Sequence, residues 1–293
     1  MSRSAALRPP SGEAARRAFG ASAASYDRDF TDRPLGRWLR AAVWRHLGAA
    51  FRPGAEVLEL GCGTGEDAIW LARRGVNVLA TDVSPAMLAV AARKAARAGV
   101  GDRLRFAPLD LTGLGAAVVE RRPSIDNWSN ALPAPPAGPY DGAFSSFGPL
   151  NCVADRRELA SRLAEWLLPG GRFVAVVMGP VCPWEIGWHL AHGEPRAAFR
   201  RFRSDVTAQV GQPPRAVRVW YPSPRRLVTE LAPAFRVVAT EGLGVLLPPS
   251  YLAHLVDRWP HLFARLAALE RRCGRIFPAT WLNDHYLIVF ERR

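Results

Sequence analysis

Three glycines at alternate positions, Gly61, Gly63 and Gly65, follow one carboxylate, Glu59, and precede another, Asp82. Glycines at such spacing let backbone N–H groups come close to a ligand. An acid about 20 residues further on meets a ribose diol when a strand, a turn and a helix lie between. The ligand class is therefore a nucleoside carrying a tail that the glycines admit.

A dinucleotide is the first candidate, but its fingerprint is G-x-G-x-x-G and here the sixth position is Glu66. Charge argues the same way. Glu59, Glu66 and Asp67 crowd a turn where a pyrophosphate needs bare N–H groups. The same acids suit a cationic nucleoside, whose sulfonium and ammonium gain from nearby carboxylates. S-adenosylmethionine is that ligand.

Such a site needs elements to hold it. An apolar stripe predicts a helix over Leu35–Leu47, and Val57–Leu60 reads as a buried strand leading into the turn. A helix over Asp67–Arg73 and a strand over Val76–Ala80 follow. Ser84-Pro85 is a helix-start signal, and Gly99 ends that helix before a strand at Leu104–Ala107. Strands at Gly142–Ser146 and at 172–178, with a helix between them, continue the alternation. Strands alternating with helices imply parallel pairing through right-handed crossovers, hence an α/β, Rossmann-like doubly wound sheet.

The segments "VLELGCGTG", "ATDVSPAML", "LRFAPLDL" and "LLPGGRFV" occur in this order, and together they resemble the four landmark segments of class I S-adenosylmethionine-dependent methyltransferases of the small-molecule type. The resemblance covers roughly residues 35 to 180. It implies a seven-stranded sheet with its last strand antiparallel, which Tyr286–Phe290 supplies. It also implies roles. Glu59, Gly61, Gly63 and Gly65 hold the methionine end, Asp82 takes the ribose hydroxyls, Val83, Asp110 and Leu111 flank the adenine, and Cys62 counts among the cofactor-binding residues. Ser145 joins this set, and "SYDRDF", with Tyr26, resembles a segment that closes over the cofactor.

Methyl transfer is an in-line displacement on a donor already activated, so no single catalytic signature is expected. Asn151, Trp184 and Trp188 are the candidate acceptor-side residues, and Glu185 and His189 the candidate general bases. Each has a plainer reading: Asn151 as a helix cap, the others as an aromatic-rich helix with a satisfied histidine. An Asn/Asp-Pro-Pro-aromatic run, as in methylases of base or amide nitrogens, is absent, and so is a Pro-Cys nucleophile, since Cys182 precedes its proline. Aromatic and leucine-rich insertions favour an apolar acceptor, lipid-like, quinone-like, polyketide-like or carrier-bound. An RNA methyltransferase using an arginine-rich face, and a binding module without catalysis, stay open.

Domain organisation follows. Residues 1–34 read as a frayed tail with a possible closing segment, and 35–293 as one domain with insertions at about 112–139, 180–221 and 242–284. The net charge of +13 is nearly all arginine, with Lys94 the one lysine, and it fits codon bias better than a nucleic-acid footprint. No apolar run of membrane-spanning length is present, the four cysteines form no framework, and no spacing suggests a metal site. A cytoplasmic setting with reduced thiols is expected, and the oligomeric state is left open.

Overall fold

The computed structural model describes residues 11–114, 138–211 and 213–293. In chain order the helices are α1 (Ser11–Ser22), α2 (Pro34–Ala50), α3 (Glu66–Ala72), α4 (Pro85–Arg97), α5 (Arg157–Trp166), α6 (Pro183–Ala191), α7 (Pro195–Ala198), α8 (Pro224–Leu231), α9 (Ala253–Arg258) and α10 (Pro260–Cys273). The strands are β1 (Glu56–Leu60), β2 (Asn77–Asp82), β3 (Leu104–Pro108), β4 (Tyr140–Ser145), β5 (Leu167–Met178), β6 (Val206–Val210), β7 (Arg215–Val219), β8 (Phe235–Leu243) and β9 (His285–Arg292).

Seven strands form one sheet in the order β3-β2-β1-β4-β5-β9-β8. Pairing is parallel from β3 to β5, and β9 runs antiparallel to both its neighbours, β5 and β8. The doubly wound sheet with a reversed last strand is therefore the observed fold. The strand order turns back on itself between β1 and β4, and open α/β sheets bind ligands at the carboxyl ends of strands flanking such a switch point.

Both sheet faces are covered. Val57, Val78, Phe144 and Val176 face α2, α3 and α9, while Leu58, Leu60, Phe173 and Ile288 face α5 and α8. Two helix starts follow the sequence signals closely: Ser84 Oγ accepts from Met87 N at 3.3 Å, and Ser223 Oγ accepts from Arg226 N at 3.2 Å, each with proline at the next position.

Two expectations need revision. Residues 11–22 are a helix rather than a frayed tail: Ala15 and Ala18 are buried against Val217 and Val219 of the β6–β7 hairpin. Small residues at that spacing read as composition bias in sequence, but they let a helix lie close on a strand. The segment "LLPGG" is not a break before β5 but its first part, accommodated by a bulge opposite Tyr140 and Gly142. The loop expected within 112–139 lies largely outside the described residues. The two later insertions hold α6, α7 and the hairpin in one case, and α9 and α10 in the other. Among the described residues no helix is long and apolar enough to cross a membrane.

Candidate cofactor and active site

The glycine turn opens β1 toward α3. Gly61, Gly63 and Gly65 have φ of +77°, +53° and +78°. At Gly61 an added Cβ would sit 2.1 Å from Pro149 Cγ, so side-chain size as well as backbone conformation demands glycine. The turn is held by Thr81 O, which accepts from Gly61 N at 2.8 Å and Cys62 N at 2.7 Å. Asp82, at the end of β2, accepts from Gly63 N at 2.9 Å and Ser84 N at 2.8 Å. Burial raises its pKa to about 6, against the pull of these two N–H groups.

Around this turn lies a cavity of about 810 Å³ counted to its open mouth, lined by Glu59, Gly61, Cys62, Gly63, Asp82, Val83, Asp110, Leu111 and Tyr26 among others. The structure thus brings together nine of the eleven residues expected at the cofactor. Gly65 stands behind the wall, where an added Cβ would lie 2.8 Å from Ala91 Cβ; its part is to seat α3 against α4. Ser145 donates to Leu60 O at 2.8 Å and points away, while its neighbour Ser146 faces the cavity with a buried hydroxyl that has no partner.

The charges inside the cavity are unevenly satisfied. Glu59 is buried with Oε2 unpartnered, and burial, then repulsion from Asp67 and Asp82, holds its pKa well above the usual carboxylate range despite Arg40. Arg40 Nη1 donates to Asp67 Oδ1 at 2.8 Å, a bond that Trp44 Nε1 shares at 2.8 Å, yet Arg40 Nε has no partner. Burial works against the Arg40 charge, but Asp67, Tyr26 and Glu66 together outweigh it and raise its pKa. A buried acceptor and a buried donor left open at one end of a cavity match the ammonium and carboxylate of an amino-acid tail.

The segment 26–31 crosses the turn. Tyr26 lines the cavity, and Asp27 accepts from Thr64 Oγ1 at 2.6 Å and from Lys94 Nζ at 2.7 Å, Lys94 also reaching Glu66 at 2.9 Å. α1 covers the other end through Gly12, Ala15 and Phe19; Gly12 packs so tightly on Asp110 that a Cβ there would lie 1.8 Å from Oδ2. Asp110 is itself fixed by Thr112, accepting from its N at 2.8 Å and its Oγ1 at 2.7 Å. Phe147, with φ +55°, packs edge-on against Phe30 and has Arg40 over its ring at 5.4 Å.

The acceptor-side expectations fare differently. Asn151 is wholly buried and saturated, donating to Met178 O and Trp220 O and accepting from Met178 N, so it staples β5 to the hairpin exit. Glu185 is not among the residues that line the cavity. It is buried under Arg200 and Arg201, which donate to it at 2.8 Å each, and their pull overcomes the burial that would raise its pKa, leaving it low. His189 lies outside the cavity, with Nδ1 2.6 Å from Glu194 and Nε2 3.3 Å from the Tyr251 hydroxyl. Trp184 packs on Phe263 and Trp188 stacks on His192, both away from the cavity. Arg40, Ser146, Phe147 and the α1 residues are the members that sequence reasoning missed. One signal was available: Arg40 interrupts the buried stripe of α2 between Leu39 and Val43.

A family model described as a methyltransferase domain matches residues 58–173. This match spans β1 to β5, and the sheet order and the glycine-turn cavity agree with a class I S-adenosylmethionine-dependent methyltransferase fold. Among curated proteins, a demethylmenaquinone methyltransferase of Thermus thermophilus is 34% identical over 49% of this chain and 55% of its own length. One from Clavibacter sepedonicus is 32% identical over 53% and 54%. The chain thus spans about half the length of these relatives. Among solved structures, the DhpI–SAM–HEP complex superposes with a TM-score of 0.56 at 19% identity, covering 98% of this chain and all of the other. That similarity is one of fold.

Proposed function

We propose that the protein transfers the methyl group of S-adenosylmethionine to a small apolar or aromatic acceptor. The observation that carries this is the paired open valences of Glu59 Oε2 and Arg40 Nε, buried in a cavity that also holds Asp82 and an apolar wall. Arg40 receives the carboxylate of the amino-acid tail, Glu59 the ammonium, and Asp82 the ribose hydroxyls. Val83, Leu109 and Leu111 flank the base, with Asp110 at its edge. When bound, the cofactor supplies a methyl already activated on sulfur; the chain's part is to align it and keep water out. Tyr26, Phe19 and Phe147 do the latter.

The acceptor class rests on two points. Phe19, Met87, Leu109 and Phe147 give the cavity an apolar flank, and Arg40, the one arginine lining it among the described residues, is neutralised by Asp67. An RNA acceptor calls for a continuous arginine face at this mouth, so it is the weaker reading. The demethylmenaquinone methyltransferases that match about half of the chain support a quinone-like acceptor.

The test uses S-adenosylmethionine labelled on its methyl group, incubated with the protein and a bacterial extract. Label in the organic phase that disappears with Asp82→Ala is the expected result. Label in RNA or protein overturns the acceptor class, and none in any fraction, with cofactor binding intact, overturns methyl transfer.

A further inference from the structure

We propose that the outer face of α10, with the turn that follows it, is a docking surface for an anionic lipid bilayer. This does not depend on the acceptor class above. Leu262, Arg265, Leu269, Arg272 and Ile276 recur at intervals of three and four, the spacing of a single helix stripe. Leu262, Leu269 and Ile276 are 52%, 47% and 61% exposed, and Phe277 beside them is 78% exposed. Trp259 precedes α10 and Trp281 follows it, both with exposed rings. Large apolar groups displayed together on one surface mark an interaction site rather than ordinary solvated surface.

The stripe has no means of turning inward. Phe263 and Glu270, which share the opposite side of the helix, are buried: Phe263 packs on Trp184, and Glu270 accepts from the backbone of Gly244 and Leu246. The leucines are held outward by that anchorage.

Charge identifies the occupant. Asp257 is engaged by Arg33 at 2.9 Å, and Glu270 is spent on backbone, so the acids of α9 and α10 do not answer the arginines. Among the described residues Arg265 and Arg272 pair with no carboxylate, and Arg258 lies over the Trp259 ring at 5.4 Å. Leucine and aromatic groups interleaved with arginine on a helix about 20 Å long suit the boundary between acyl chains and acidic headgroups. A second copy of this face would set arginine against arginine, which disfavours a symmetric dimer.

The experiment is flotation of the full chain with vesicles of phosphatidylcholine alone and with one quarter phosphatidylglycerol, while Trp fluorescence is followed. Binding is expected to the anionic vesicles only, with a blue shift, and to weaken as salt is raised. The double variant Leu262→Ser/Leu269→Ser should lose roughly tenfold in binding. Arg265→Gln and Arg272→Gln should each lose roughly fivefold. Thermal melting and S-adenosylmethionine binding, unchanged in all of them, show that the fold is intact. Equal binding to neutral vesicles, or anionic binding untouched by the leucine variant, overturns the proposal. So does a concentration-dependent dimer that Leu262→Ser abolishes, since a second copy then covers the face.

Discussion

Asp82→Asn should make the ligand-free protein more stable at neutral pH and a poorer binder. Asp82 rises from 3.8 to about 6 on burial. At about 1.4 kcal/mol per pH unit, keeping it ionised costs the fold about 3 kcal/mol. Its folded pKa is raised, so the favourable contribution is complete below 3.8 and is lost as pH rises through about 6. Asparagine removes the charge but accepts only one of the two bonds from Gly63 N and Ser84 N, a loss of about 1 kcal/mol. The variant should therefore gain about 2 kcal/mol at pH 7.5, or about 5 °C in Tm. The gain should shrink to roughly half a kcal/mol at pH 5 and change sign at about pH 4.5, from the linkage relation with these two pKa values. Cofactor affinity should fall about thirtyfold, the worth of charge-assisted bonds to a ribose diol. Thermal melts of both proteins across this pH range, with and without S-adenosylmethionine, read all of these effects. A stability difference that stays constant with pH would refute the reasoning, because it would mean that Asp82 carries no burial penalty.

Other substitutions separate binding from scaffold. Gly12→Ala places a methyl 1.8 Å from Asp110 Oδ2, so it should push α1 off the cavity and weaken cofactor binding about tenfold by calorimetry, with the melting temperature nearly unchanged. Lys94→Met removes the tether to Asp27 and Glu66, and should raise the S-adenosylmethionine dissociation constant about fivefold, an effect that salt mimics in the native protein. Glu185→Gln leaves Arg200 without its carboxylate and Arg201 with Asp284 alone, costing about 3 kcal/mol in denaturant unfolding while cofactor affinity holds. The low pKa of Glu185 stabilises the fold above the usual carboxylate value, a contribution lost as pH falls through its folded one, so this variant should narrow the gap to native in acid.

The glycine turn and the cavity around it were legible because they depend on local chemistry. A glycine turn with an acid before it and another after β2 is one contiguous unit, and backbone geometry dictates its residue types. The acceptor side was not. Glu185, His189 and Asn151 carry the right functional groups, but what each does is decided by residues far away in sequence: Arg200 and Arg201 for Glu185, Tyr251 for His189, and Trp220 for Asn151. Arg40 was missed for the complementary reason. A single arginine in an arginine-rich chain carries little information until Asp67 and Trp44 are seen beside it. α1 was hidden by its own composition, since alanine pairs well with a hairpin but also fills unstructured chain.

Lys94 has a practical consequence. As the one lysine of 293 residues, it carries the chain's single ε-amine, and that amine is held between Asp27 and Glu66 at the edge of the segment crossing the glycine turn. An amine-reactive label at this position therefore reports one event, the release of that amine from Asp27 and Glu66. Mass spectrometry of the modified peptide at timed intervals measures how fast that amine comes free of Asp27 and Glu66, without any engineered probe.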